Sequence, residues 1–158
     1  MALKNTDEIH SMTQLEFKQA DHYSLPLIKQ FYKKNGMRAQ APKGDLIFIA
    51  TLNNKIVAAL RLHPVQSHYL LRSMCVAADL RNNQIGTKLL EYLQPTLNKI
   101  ECYSFPFEHL IEFYRRANFI LYDTDAAPEA ITDKFTRYIN NGKKIRLMKY
   151  RHESTQSQ

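Results

Sequence analysis

Cysteine is scarce in this 158-residue chain, which contains only Cys75 and Cys102. Both lie inside apolar segments, so we interpret them as small buried side chains rather than as a disulfide or a nucleophile. The sequence also lacks any grouping of residues that suggests a metal site. We therefore expect a protein that folds without covalent or metal cross-links.

Long apolar runs are missing as well. No stretch approaches the roughly 18 residues that a transmembrane helix needs. The first residues, MALKNTDEIHSM, are polar and carry charges of both signs, without the apolar stretch and cleavage site of a secretory signal. We therefore expect a cytoplasmic protein that has no membrane among its partners.

The composition is that of a globular protein, with 44% hydrophobic and 11% aromatic residues. The length suits one domain with a core large enough to need no further support. We predict a single domain over residues 1–152. Residues 153–158 are polar and cannot support packing, so we predict a disordered tail there.

The net charge of +7 would attract a polyanion. Nucleic acid, an acidic protein surface and a phosphorylated cofactor all qualify, and charge alone does not choose among them. The basic cluster over residues 143–151 is typical of a solvated strand face.

The hydrophobic pattern predicts a mixed α/β (α+β) fold. The apolar runs 46–52 and 55–62 are joined by Asn53 and Asn54, which tolerate the positive φ of a tight hairpin turn. We expect Pro64 to end the second of these strands. Both runs are apolar at successive positions, so we expect helices on both faces of the sheet. Further strands are predicted at 14–20, 69–78, 99–104, 119–122 and 144–151. Helices are predicted from Ser24, as the capping residue, to Gly36, from Gln84 to a break or kink at Pro95, from Pro106 to Asn118 and over 128–139.

Residues 81–87, RNNQIGT, connect a predicted strand to a predicted helix. The first backbone N–H groups of a helix lack partners within it, and the helix dipole favours negative charge there. Arg81 adds a cation, and Gly86 allows the backbone to approach a ligand closely. Taken alone, this pattern fits either a phosphate site or an ordinary structural turn.

From residue 69 to residue 119 the sequence resembles the GNAT superfamily of N-acetyltransferases. The matching segments are SMCV at 73–76, RNNQIG at 81–86, LLEYL at 89–93 and FYRRANF at 113–119. The flanking hairpin and last strand come in the family's order, so the likeness spans roughly residues 14–151. It implies a mixed, mostly antiparallel sheet of about seven strands, in the order β-α-β-β-β-α-β-α-β-(α)-β.

The resemblance also implies a chemistry, which is acetyl transfer from acetyl-CoA to a primary amine by direct attack. Main-chain groups of Met74, Cys75 and Val76 would hold the pantetheine arm, and the following turn would hold the diphosphate without a metal. The turn residues that the resemblance implicates are Arg81, Asn82, Asn83, Gln84, Ile85, Gly86 and Thr87. Tyr114 matches the family tyrosine that donates a proton to the CoA thiolate, although a tyrosine on an amphipathic helix can also serve only to pack its ring.

Three positions depart from the family pattern. Gln84 replaces the first glycine of the turn, and Asn118 replaces the glycine before Phe119, a mild change because asparagine tolerates the left-handed conformation. Leu70 stands where many relatives place a glutamate base.

Other residues remain candidates for a role toward the acceptor. At pH 7 an α-amine loses its proton at a cost of about 1.4 kcal/mol, against about 4.6 kcal/mol for a lysine-like amine. We therefore infer a less basic acceptor or a water relay. The side chains that remain open as bases are Glu101, Glu108, His63 and His109. Arg61 and Arg72 are open as contacts for an acidic group of the substrate.

A second hypothesis is a module that keeps the fold and binds CoA with little or no catalysis. Such a module would act through its basic surface on an acidic partner or RNA. The resemblance favours the enzyme, with a small-molecule or peptide amine as partner and no nucleic acid. A homodimer remains open.

Overall fold

The computed structural model describes residues 14–38 and 42–153. Within them, seven strands and four α-helices follow one another in the predicted order. The strands are β1 (Leu15–Gln19), β2 (Leu46–Leu52), β3 (Lys55–Val65), β4 (His68–Val76), β5 (Cys102–Ser104), β6 (Phe119–Leu121) and β7 (Met148–Tyr150). The helices are α1 (Leu25–Lys34), α2 (Ile85–Leu97), α3 (Ile111–Arg116) and α4 (Glu129–Asn140).

The seven strands form one sheet in the order β1-β2-β3-β4-β5-β7-β6. Strands β4 and β5 run parallel, whereas the pairs β1–β2, β5–β7 and β6–β7 are antiparallel. The predicted mixed, mostly antiparallel sheet of about seven strands is therefore confirmed. The last strand of the chain lies between β5 and β6, so the order in the sheet differs from the order in the sequence.

Backbone contacts divide the chain into two compact units. Unit 1 comprises residues 1–61 and 73–89, and unit 2 comprises residues 62–72 and 90–158. The single domain predicted over residues 1–152 stays a prediction. Of the tail predicted from residue 153, residues 154–158 lie outside the described part of the chain.

The core of unit 1 forms where α1 meets its strands. Ile28, Phe31 and Tyr32 on α1 pack with Ile47 and Ile49 of β2. The helix residues recur at intervals of three and four, which puts them on one face. Burial of each large apolar side chain contributes about 1.5–3 kcal/mol, so this face fixes α1 against β2.

The start of α1 differs from the prediction. Ser24 makes no capping hydrogen bond through its side chain, so its predicted role as a cap is wrong. A 3-10 turn, His22–Ser24, precedes the helix, and the Asp21 carboxylate accepts the hydrogen bond from the Ser24 amide at 3.1 Å. The Asp21 side chain, three residues before Ser24, thus acts as the cap. The helix ends before Gly36, whose φ of +78° suits a helix terminus.

In unit 2 the core gathers around Ile131 of α4. Leu70, Tyr103 and Leu147 pack with it. The partly buried rings of Phe105 and Phe135 lie against this cluster and stack edge to face at 5.3 Å. Helix α4 is therefore held to the sheet of its unit by apolar and aromatic contacts.

Two prolines do not end the elements that contain them. Strand β3 continues past Pro64, and helix α2 continues past Pro95. A proline removes one backbone donor, and each of the two stands within two residues of the last residue of its element, so little of the element follows it. The helix predicted after Pro106 is split into a 3-10 turn, Glu108–Leu110, and the short α3.

Among the described residues, no helix has both the length and the apolar character to cross a membrane.

The hairpin turn between β2 and β3 has the predicted conformation. Asn53 and Asn54 have φ values of +52° and +66°. Two consecutive left-handed residues are characteristic of a type I′ turn, whose twist matches that of the flanking strands. This prediction from the sequence is confirmed.

We predict that Asn54→Ala lowers the free energy of unfolding by about 1 kcal/mol, because a left-handed alanine costs roughly 1–2 kcal/mol. Asn54→Gly should leave that free energy unchanged or raise it, since glycine adopts this conformation readily. Urea denaturation measures both variants. Asn140→Ala, at an exposed helical position, is the control with little expected change. Equal losses for the alanine and glycine variants at position 54 would contradict the conformational explanation.

Candidate active site

Strand β4 extends further than β5, its parallel neighbour. The register with β5 covers Tyr69, Leu70 and Leu71, whereas β4 continues to Val76. In the described residues, β5 ends at Ser104, the partner of Leu71, and supplies no partner for the rest of β4. A strand edge without a neighbour presents main-chain donors and acceptors to an extended ligand. The main-chain groups of Met74, Cys75 and Val76, which the sequence predicted as binding groups, lie on this part of β4.

Ser73 occupies the point at which β4 leaves the register with β5. Its φ is +58°, a left-handed conformation inside a strand. For a residue other than glycine this conformation costs about 1–3 kcal/mol unless its surroundings impose it. Two hydrogen bonds do so: the Tyr32 hydroxyl donates to the Ser73 carbonyl at 2.8 Å, and Arg61 Nη2 donates to Ser73 Oγ at 2.8 Å.

Arg61 is itself fixed by a buried ion pair. Its guanidinium binds the Asp45 carboxylate, and the two side chains are only 5% and 1% exposed. Arg61 Nε is buried and has no hydrogen-bond partner among the described residues. Burial also raises the pKa of the neighbouring Tyr32 hydroxyl, which keeps it protonated and able to donate. The interpretation of Arg61 as a contact for the substrate is therefore wrong, because the side chain is enclosed and engaged inside unit 1.

The sequence contained one indication of this network. Arg61 is the one charged residue in the otherwise apolar stretch 56–62, and a charged residue in such a run must find a buried partner. The partner and the contact with Ser73 were not predictable, because they join residues 12 and 16 positions away.

The turn after β4 provides unpaired amides at the start of α2. The Lys88 N–H donates to the Gln84 carbonyl at 2.9 Å, which makes Gln84 the residue that precedes the helix. The amides of Ile85, Gly86 and Thr87 consequently have no carbonyl partner within the helix. Together with the helix dipole they form a site suited to an anion. This is the position that the sequence predicted for the diphosphate.

Gln84 takes the backbone conformation that a glycine would take. Its φ is +61°, and that of Asn82 is +68°. The turn therefore keeps a backbone path that favours glycine, at a cost of about 1–2 kcal/mol for the glutamine. The Gln84 side chain is exposed. Asn83 holds the turn from within, because its side-chain amide donates to the carbonyls of Leu80 and Arg81 at 3.1 and 3.3 Å.

Arg81 links the turn to the end of β4. Its Nε donates to the Val76 carbonyl at 3.4 Å, and the side chain is otherwise exposed. Burial raises the pKa of the Cys75 thiol, and the nearby Arg81 charge partly offsets the increase. A cation thus lies beside the strand end in unit 1, on a residue of the turn that leads into α2, whereas the thiol remains protonated.

Tyr114 belongs to unit 2 and lies on the short helix α3. Its side chain is 6% exposed, and its ring packs edge to face against Phe113 at 5.2 Å and Phe119 at 5.5 Å. Burial raises the pKa of the phenol well above its ordinary value of 10, and Cys102 adds to the increase. The hydroxyl is therefore protonated throughout the physiological range, as a proton donor must be.

Three of the four residues that the sequence left open as bases, Glu101, Glu108 and His109, make other contacts in unit 2. Glu101 pairs with Lys149 at 3.1 Å, and Glu108 lies 3.5 Å from Arg146. His109 stacks on the Phe107 ring at 6.1 Å. Leu70, at the position of the family glutamate, is buried in the core. No group of residues within the described ranges could hold a metal ion.

These features define a class of protein. A mixed sheet in which a central strand loses its neighbour and leads through a left-handed turn into a helix start offers main-chain groups and amides that suit an extended, phosphorylated ligand. Residues 43–121, half of the chain, match the family model described as the acetyltransferase (GNAT) domain, and the chain belongs to this family. Membership makes the protein an acyltransferase.

Solved structures show the same fold. N-acetylglutamate synthase from Neisseria gonorrhoeae, complexed with coenzyme A and N-acetyl-glutamate, is 14% identical with a TM-score of 0.67 over 88% of this chain. This chain spans only 35% of that enzyme. The ribosomal-protein-S18-alanine N-acetyltransferase from Escherichia coli is 15% identical with a TM-score of 0.64, over 91% of this chain and 99% of its own. A GNAT-family acetyltransferase from Staphylococcus aureus Mu50 is 16% identical with a TM-score of 0.63, over 88% and 99%. No curated protein matches the chain in sequence.

We predict that Arg61→Gln lowers the free energy of unfolding by about 3–5 kcal/mol, because it breaks a buried ion pair. The matched control is Arg115→Gln, which removes an ion pair with Glu112 whose side chains are 49% and 65% exposed. That change should cost less than about 1 kcal/mol. Urea denaturation measures both variants. Similar small losses would show that the Arg61 network does not hold Ser73 as described.

Proposed function

We propose that the protein is an N-acetyltransferase that moves an acetyl group from acetyl-CoA to a primary amine by direct attack. The observation that carries the proposal is the run of main-chain groups on β4 beyond Leu71, followed directly by the amides at the start of α2. This sequence of an open strand edge and an anion site suits a ligand with an amide-containing arm and a diphosphate. The CoA complex of one structural neighbour supports it.

The donor is proposed to bind through backbone atoms. Met74, Cys75 and Val76 would pair with the amides of the pantetheine arm as a further strand does. The diphosphate would be held by the turn from Arg81 to Thr87, with the cation of Arg81 beside it. Main-chain recognition needs no particular side chain on the strand, which is consistent with a buried Cys75 between the partly buried Met74 and Val76.

The transfer forms a C–N bond and breaks the C–S bond of the thioester. The amine attacks the carbonyl carbon, and a main-chain N–H near Val76 would stabilise the negative charge that develops on its oxygen. The attacking nitrogen releases a proton to water. Tyr114 would supply the proton that the departing sulfur takes up and would then regain a proton from water. This assignment rests on the match of FYRRANF to the family and on the protonated state of the phenol.

The acceptor is proposed to be an amine of low basicity, or one deprotonated through water. Glu101 and Glu108 are engaged with cations, and an α-amine needs little assistance at neutral pH. The name of one structural neighbour gives an alanine of a ribosomal protein as the acceptor, which agrees with the proposal that the acceptor here is an amine. The cytoplasmic location stays a prediction, and the question whether the protein forms a homodimer stays open.

Calorimetric titration with acetyl-CoA tests the donor site. We expect micromolar affinity for the unmodified protein and about tenfold weaker binding for Gln84→Glu, because a carboxylate before α2 repels the diphosphate. The same carboxylate favours the helix dipole, so the melting temperature should not fall. Gln30→Glu is the matched control, since it adds the same charge at an exposed position of α1. The absence of any heat or melting shift with acetyl-CoA would eliminate the proposed enzyme.

Tyr114→Phe tests the proton donor. We expect turnover to fall about a hundredfold or more with little change in the affinity for acetyl-CoA. Because burial raises the pKa of Tyr114, its ionisation should cause no loss of activity between pH 8 and 10 in the unmodified enzyme. Tyr103→Phe, at another buried tyrosine of unit 2, is the control. Unchanged turnover in Tyr114→Phe would remove this residue from the mechanism.

A further inference from the structure

Arg72 is a half-buried cation of unit 2 without a protein carboxylate. Among the described residues, carboxylates pair with Arg61, Arg115, Arg146 and Lys149, but none lies within ion-pair distance of Arg72. Its hydrogen bond runs instead from Nη2 to the Tyr138 hydroxyl, at 3.0 Å. A neutral hydroxyl does not balance the charge, and an unbalanced cation that is partly removed from water favours a nearby anion.

Tyr138 is held in place by aromatic packing. Its ring lies 6.0 Å from that of Phe105, in edge-to-face geometry, and Phe105 packs in the same way on Phe135 at 5.3 Å. Both phenylalanines lie against the core around Ile131. The hydroxyl that orients Arg72 is therefore fixed by the fold of unit 2.

The two side chains form a receptor for a planar anion. A guanidinium carries five donors in a rigid fork that matches a carboxylate. The Tyr138 hydroxyl accepts a hydrogen bond from Arg72, and its own proton is then directed elsewhere and can be donated to the same anion. Phosphate is the alternative anion, but the chain already offers phosphate an anion site at the start of α2 with Arg81.

Arg72 stands on β4 two residues before Met74, on the strand proposed to hold the donor. We infer that Arg72, oriented by Tyr138, binds a carboxylate of the acceptor, so that the acceptor class is an amine that also carries a carboxylate, such as an amino acid. The inference rests on the proposed function. It also fits an acceptor with a weakly basic α-amine.

The test compares acceptors in matched pairs, each an amino acid and the corresponding amide, over the full set of amino acids. We expect kcat/KM to be at least about tenfold higher for the carboxylate member of the preferred pair, as for one charge-assisted contact. Arg72→Gln should abolish this preference and leave the affinity for acetyl-CoA unchanged. Arg72→Lys should restore part of it, because the charge returns without the fork.

Arg137→Gln is the matched control for Arg72→Gln, since it removes the same charge from an exposed residue beside Tyr138. It should retain the preference. If Arg72→Gln is unstable in a melting measurement, Tyr138→Phe is the second variant. It should lower the preference for the carboxylate acceptor several-fold. In the presence of CoA, N-acetylated amino acids should raise the melting temperature of the unmodified protein and not that of Arg72→Gln.

The outcomes separate this inference from the proposed function. The inference would be overturned, with the proposed enzyme intact, if the protein binds acetyl-CoA and transfers acetyl groups without preferring carboxylates. The same holds if Arg72→Gln lowers kcat/KM equally for acids and amides. Binding of acetyl-CoA without transfer to any acceptor of the set, and without a melting shift by N-acetylated amino acids, would overturn it as well. No binding of acetyl-CoA would overturn both.

Discussion

The left-handed Ser73 is the constraint on which the candidate donor site depends. Strand β4 pairs with β5 up to Leu71 and then turns out of that register at a residue held with φ +58°. A serine does not adopt this conformation inside a strand without compensation. The compensation comes from Tyr32 and from Arg61, a buried arginine whose charge is balanced by Asp45. A polar network inside the core thus determines where the main chain of β4 becomes available to a ligand.

The anion site that follows depends on local geometry. Gln84 and Asn82 take left-handed conformations, Asn83 closes the turn, and Arg81 contacts the Val76 carbonyl. Each of these interactions spans only a few residues. The helix start would therefore keep its anion-binding amides even if the core network changed, whereas the strand edge before it would not keep its form.

The two arginines that the sequence could not distinguish have different environments. Arg61 is enclosed, paired with Asp45 and bound to Ser73, so its charge is used within the protein. Arg72 is half-buried and has only a phenol as hydrogen-bond partner within the described residues. The difference follows from the position of the acidic side chains. Arg61 therefore has a structural role, whereas Arg72 is a candidate for recognition of the acceptor.

By itself, the sequence determined the element order, the Asn53–Asn54 turn, the left-handed Asn118 and the strand, turn and helix of the candidate donor site. These features depend on periodicity, on turn residues and on motifs a few residues long, which interact locally. Only the tertiary structure decided that β7 lies between β5 and β6, that β4 leaves β5 at Ser73, and which partners Arg61 and Arg72 have. Those outcomes join residues 12 to 66 positions apart, and such contacts are selected by packing and by the balance of buried charge.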